Sequence, residues 1–84
     1  MYYIYVLKSI KNNDVYVGYS TDLKRRFSDH NKGFVRATRP NRPWLLVYYE
    51  AYKEKRDATK REKQLKMHRA KEDLKKLLRF SLEN

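Results

Sequence analysis

The sequence predicts an α+β domain, a small three-stranded antiparallel sheet covered by helices in the order ββαβαα. Three observations predict it. Two runs of β-branched and aromatic residues, 2–8 (YYIYVLK) and 15–19 (VYVGY), are joined by a short polar turn, and a third run, LLVYYEA, follows at 45–51. Between and after the strands, apolar residues recur at helical spacing. The 84 residues contain only two glycines and two prolines, with no linker, repeat or low-complexity segment, so residues 1–84 read as a single domain.

In the first strand, alternation places Tyr3, Tyr5 and Leu7 on one face and Tyr2, Ile4 and Val6 on the other. Both faces are apolar, which predicts a central or covered strand. Ser9 to Asp14, with the Asn12-Asn13-Asp14 cluster, reads as the hairpin turn. Gly18 interrupts the second strand and predicts a bulge or a close approach to the backbone. Ser20, Thr21 and Asp22 are N-cap candidates for a first helix carrying Leu23, Phe27 and His30 to about Asn31, and Gly33 ends it. Residues 34–44 hold both prolines and three arginines and read as an irregular basic loop. After the third strand, a helix is predicted from Arg56 or Asp57 to Met67. A last helix runs from about Ala70 to Phe80, with Leu74, Leu77 and Leu78 as its apolar side.

Composition narrows the function. No cysteine is present, which excludes disulfide scaffolds, thiolate zinc sites and cysteine nucleophiles. Two histidines, His30 and His68, are too few for a nitrogen–sulfur zinc site. Two glycines fifteen residues apart cannot form a glycine-rich phosphate loop, and no nucleophile elbow is present. No apolar run is long enough to cross a membrane, and MYYIYVLK lacks the basic start of a secretory signal, so a cytoplasmic protein is expected. Twenty-one Lys and Arg against ten Asp and Glu give a net charge of +11. The excess is spread along the chain: nine against three in residues 1–44, twelve against seven in 45–84. A basic domain of this kind attracts polyanions, because neutralised phosphates release condensed counterions.

Three features do not fit a plain core. Tyr5 and Tyr16 sit at the centres of the two hairpin strands and can neighbour each other, although strand tyrosines with hydroxyls at the rim are also common. Glu62 shares a helix side with Ala58 and Leu65, the residues best suited to face the sheet. A carboxylate there needs either a cation partner such as a nearby lysine or a metal ion. Arg26 and His30 lie four apart on the first helix and can address one phosphate, or Arg26 simply continues the basic run Lys24-Arg25-Arg26.

Together these residues fall into one pattern. Tyr3-Ile4-Tyr5 and Tyr16-Val17-Gly18, then YVGYSTDLKRRFSDH (16–30), RATRPNRPWLLVYYEA (36–51) and ATKREKQLK (58–66), resemble the GIY-YIG nuclease superfamily over essentially the whole chain, in its single-domain bacterial branch. The sequence is also similar to the nuclease domain at the N-terminus of UvrC. Tyr3 stands where the first motif usually has glycine, and Tyr19 where the UvrC branch has lysine. The resemblance implies a GIY-YIG fold and a divalent-metal-dependent endonuclease hydrolysing DNA phosphodiester bonds, selecting by structure rather than sequence, in repair or processing. By matching position, Tyr16 would activate or orient the attacking water with Tyr5 beside it. Arg26 would hold the scissile phosphate, His30 would join the catalytic set, and Glu62 would hold a single Mg²⁺ or Mn²⁺. Lys24, Arg25, Arg36, Arg39 and Arg42 are the expected nucleic-acid contacts, and Trp44 is read as the anchor of the third strand rather than as a base-stacking ring. The expected partner is DNA, with RNA as the other polymer, bound by a monomer or weak homodimer. Two further readings are a nucleic-acid-binding module of weak or no activity and a subunit whose specificity comes from a protein partner.

Overall fold

A strand that is apolar on both faces must be covered on both, and Tyr2–Ser9 (β1) is. The computed structural model describes residues 1–83, the side chain of His68 excepted. β1 lies at the centre of a three-stranded antiparallel sheet, between Val15–Ser20 (β2) and Trp44–Tyr52 (β3), in the order β2-β1-β3. Leu23–Lys32 (α1) separates β2 from β3, and Lys55–Lys66 (α2), His68–Leu77 (α3) and Arg79–Leu82 (α4) follow β3. Among the described residues, no helix is long and apolar enough to cross a membrane.

The alternation of β1 sorts two cores. Ile4 and Val6, with Val17 of β2, are buried under α2 and α3 against Ala58, Leu65, Leu74 and Leu78. Tyr5 and Leu7, with Trp44, form the second core under α1, flanked by Tyr16, Leu23, Phe27 and Leu46. The pairing of β1 with β3 shifts between Val6 and Leu7, where Val47 is the extra residue of a bulge. An ion pair fastens α2 to the sheet. Arg61 Nε and one terminal guanidinium nitrogen donate to the two Glu50 carboxylate oxygens at 2.9 and 3.2 Å, and Tyr48 and Tyr52 donate their hydroxyls to the same carboxylate.

The loop after α1 differs from the irregular segment expected. Val35 and Thr38 are buried within it, and Arg39–Asn41 forms a 3₁₀ turn started by Pro40. Ser9 locks this turn to the β1–β2 hairpin. Its hydroxyl donates to the Asn41 carbonyl at 2.6 Å and accepts from the Lys11 and Asn12 backbone amides, while Lys11 Nζ reaches the Pro40 carbonyl. Helix boundaries differ as well. Met67 is extended (φ −72°, ψ 140°) and separates α2 from α3, which starts two residues before the expected Ala70. The expected helix to Phe80 ends at Leu77, and the short α4 follows. Across the break at Leu78, Leu78 is buried and Leu82 packs on the same core as Leu74.

Leu65, buried at the centre of the first core, is the clearest test of this packing. Leu65→Ala should lower unfolding free energy by about 2–5 kcal/mol, read as a fall in the urea midpoint at unchanged m-value.

Candidate functional site

The site begins with an absent side chain. In the β1–β2 register Tyr5 stands opposite Gly18 and Leu7 opposite Tyr16. The Tyr5 ring leans across the sheet onto Gly18, so that a Cβ at position 18 would lie within 3.0 Å of three atoms of the phenol. Gly18 is therefore the close approach that the sequence allowed, and the bulge lies elsewhere. Tyr16 follows on the same face, its ring centroid 6.4 Å from that of Tyr5.

From the other side α1 brings His30. Asp22 caps this helix by accepting from the Arg25 backbone amide at 3.1 Å, and Gly33 ends it in the left-handed region at φ 82°. His30 is fully buried, at 0% exposure. Its Nε2 lies 2.7 Å from the Tyr5 hydroxyl and its Nδ1 2.7 Å from Thr38 Oγ1. Thr38 in turn accepts the Trp44 indole N–H at its carbonyl, 2.9 Å away. Asn31 joins the start of β3 to α1 through both its amide atoms, at 2.7 Å from the Trp44 nitrogen and 2.9 Å from the Trp44 oxygen. The Tyr16 ring stands edge-on to His30 and Trp44, at 5.1 and 6.3 Å.

Burial sets the charge states. It pushes the Tyr5 phenol up to about 12. The Arg26 guanidinium pulls it back, and Tyr16 and the negative Glu62 add to the rise. Burial likewise lowers His30 to about 4, helped by the Arg26 charge and opposed by Asp29. At neutral pH both members of the Tyr5–His30 pair are uncharged, while the charges of Arg26 and Glu62 act on the same phenol.

Tyr5, Tyr16 and His30 are thus in direct ring or hydrogen-bond contact, and the charges of Arg26 and Glu62 act on the Tyr5 phenol. Glu62 is carried by α2 between the buried Ala58 and Leu65; its side chain is 23% exposed, and Lys66 Nζ lies 3.2 Å from Oε2. Among the described residues there is no cluster of three or more histidines and acids able to hold a metal ion. The donor set fits one kind of ion only. A lone carboxylate with an open oxygen suits a hard, hydrated cation such as Mg²⁺, while both His30 nitrogens are already engaged.

The expected residues take these places in the fold. His30, expected to be able to address a phosphate with Arg26, is buried with its two ring nitrogens on Tyr5 and Thr38. Arg39 and Arg42, expected nucleic-acid contacts, also fasten their loop: Arg39 Nε donates to the Gly33 carbonyl at 2.9 Å and Arg42 Nε to the Arg39 carbonyl at 3.0 Å. Tyr19, in the place of a lysine, packs with the Ile4 and Val17 core, stacked on Tyr2 at 6.4 Å, and so lies across the sheet from Tyr16. Strand tyrosines with hydroxyls at the rim do not describe Tyr5, which is 1% exposed with its hydroxyl on His30. Lys24, Arg25 and Arg36 are exposed, and Trp44 is buried as the anchor of β3. The sequence gives no signal for Thr38 and Asn31, since a threonine between arginines and an asparagine at a helix end carry no mark of their distant partners.

A hairpin bearing paired tyrosines over a bare glycine, roofed by a helix that carries arginine and histidine, defines a small α+β domain. Residues 1–76 match the family model of the GIY-YIG catalytic domain, and the chain belongs to this family of nucleases acting on nucleic acid. Among particular proteins, it is 36% identical over 75 residues to a UPF0213 protein of Staphylococcus haemolyticus, covering 88% of this chain and 90% of that protein. It is 40% identical to a UPF0213 protein of Bacillus pumilus, covering 87% and 76%. The solution NMR structure of a UPF0213 protein from Bacillus halodurans superposes with a TM-score of 0.58 at 36% identity, covering 92% of this chain and 85% of that one.

Two outcomes follow from the buried centre. Gly18→Ala should destabilise the fold by about 1–3 kcal/mol in chemical denaturation, because the Tyr5 ring has no room to yield. His30 titrates near 4 when folded and 6.5 when unfolded, so between these values the unfolded chain binds more protons. Stability should therefore fall as pH drops from 6.5 to 4, by about 3 kcal/mol, and the slope of the urea midpoint against pH should shrink in His30→Gln.

Proposed function

We propose that this protein is a divalent-metal-dependent endonuclease that hydrolyses phosphodiester bonds in DNA, selecting by structure rather than sequence, in repair or processing. One observation supports the reading: in a member of a nuclease family, the Tyr16 ring stands 6.4 Å from that of the buried Tyr5, whose phenol feels the charges of Arg26 and Glu62. No cytosine- or guanine-reading helix is needed for such chemistry, and the +11 charge supplies attraction to any phosphate backbone.

The roles follow from burial and charge. Arg26 presents a planar guanidinium that pairs with the non-bridging oxygens of a phosphate. Tyr5 and His30 resist ionisation and hold each other in place, so the pair is a positioning device rather than a source of base. Tyr16 is only half-buried, so it is the phenol that a water molecule can reach; it accepts a hydrogen bond from the water and aligns it with the phosphorus held at Arg26. Glu62 is the residue that would hold a divalent ion, which when bound supplies Lewis-acid neutralisation of the phosphate and the leaving oxygen.

One observation favours a second reading, a nucleic-acid-binding module with little turnover. The Glu62 carboxylate already has Lys66 at 3.2 Å, a cation that competes with a metal for one oxygen. Both readings meet the same experiment, single-turnover cleavage of branched, single-stranded and duplex DNA with Mg²⁺ or Mn²⁺. Glu62→Gln should slow cleavage by about 100-fold or more. Equal rates in parent and variant overturn the endonuclease assignment, and salt-sensitive binding without any cleavage by the parent supports the second reading.

A further inference from the structure

The Tyr5 face of the sheet is not fully roofed. The first turn of α1 leaves a cavity of about 540 Å³ between itself and β3. Leu23 and Phe27 of α1, Leu46 of β3 and the rings of Tyr3 and Tyr49 line it, with Lys24 at its mouth. Tyr3 and Tyr49 meet edge to face, centroids 6.1 Å apart and planes at 65°. Tyr49 stands opposite Tyr5 in the β1–β3 register, yet 53% of its surface is exposed. Nothing in the core requires a ring there. A second cavity of about 270 Å³, lined by Arg25, Arg26 and Asp29, lies across a wall that both cavities share, formed by Thr21 and Asp22.

We propose that the larger cavity is a nucleobase subsite, which receives the base of an unpaired nucleotide neighbouring the phosphate held at Arg26. The proposal rests on the nucleic-acid substrate argued above and adds its state, a strand with an unstacked base. The chemistry of the walls selects this occupant. Three aromatic rings and two leucines offer a stacking surface that any base can use, because every base presents a π-face. Lys24 at the mouth and the arginines beyond the shared wall supply positive charge where the backbone of that nucleotide must pass. The shared wall offers polar partners for a base edge. Thr21 brings a hydroxyl, and Asp22, which accepts from the Arg25 amide through Oδ1, keeps its second oxygen for an exocyclic amine. A base inside a duplex is stacked on both faces and cannot enter, so a paired strand binds through its phosphates alone.

The test measures binding with no divalent metal added, so it does not depend on cleavage. The probes are a short single-stranded DNA carrying one 2-aminopurine and the same sequence fully paired. Tyr49→Ala should weaken binding of the single strand by roughly 10–100-fold and abolish quenching of the 2-aminopurine, with a much smaller loss for the duplex. Tyr49→Phe should restore both. Tyr49→Leu, which keeps apolar volume without a ring, should behave as alanine does and replaces it should alanine perturb folding. Undiminished single-strand binding, or equal losses for single strand and duplex, overturns the subsite and leaves the roles of Arg26 and Glu62 untouched. Tyr49-dependent binding in a protein that never cleaves supports the subsite and overturns the endonuclease reading alone.

Discussion

One buried hydrogen bond governs the arrangement of this domain, the 2.7 Å contact between the Tyr5 hydroxyl and His30 Nε2. It can form only because Gly18 leaves the sheet bare where the Tyr5 ring crosses it, and because α1 is capped and terminated so that His30 faces inward. Once made, it fixes the tilt of one helix over one hairpin and fills the space between them with polar atoms whose partners are all inside the protein. Every buried side-chain polar atom among the described residues has a hydrogen-bond partner, as a low-dielectric centre demands. The remaining groups of the site are arranged around this pair. Tyr16 lies against its imidazole edge, and Arg26 and Glu62 act on its phenol.

Much of this was legible in the residues. The apolar character of both faces of β1, the polar turn at Ser9 to Asp14 and the N-cap at Asp22 are local signals, and they located the strands and the first helix to within a residue or two. Glu62 was legible in another way, since its spacing from Ala58 and Leu65 put a carboxylate on a stripe meant for burial. What the sequence withheld is long-range. Thr38 bonds a histidine eight residues away, and Asn31 holds the backbone of Trp44 thirteen residues on. Neither has a periodicity or a motif to announce it. The loop from 34 to 44 looked irregular for the same reason, because its order comes from buried contacts of Val35, Thr38 and Trp44 rather than from propensity. The break at Leu78 has no glycine or proline to mark it.

The two faces of the sheet divide the work. Beneath α2 and α3 the buried core is aliphatic and its task is cohesion; beneath α1 it is aromatic and polar, with Tyr5, Tyr16 and His30 gathered there. α2 spans the division, since it buries Ala58 and Leu65 in one core while the charge of Glu62 is felt by Tyr5 in the other. The Arg61–Glu50 pair beside it sets the rotation of this helix against β3. A small domain with a modest core can in this way keep a precise polar centre.

The Ser9 latch has a thermodynamic consequence. It binds the hairpin turn and the 3₁₀ turn, which are thirty residues apart in sequence, into one body, and the segment carrying Arg36, Arg39 and Arg42 is seated on that body before any polyanion arrives. Association then involves little loss of chain entropy on the protein side, in contrast to disordered basic arms that must fold as they bind. Its salt dependence should accordingly be governed by counterions leaving the nucleic acid rather than by ordering of the protein itself.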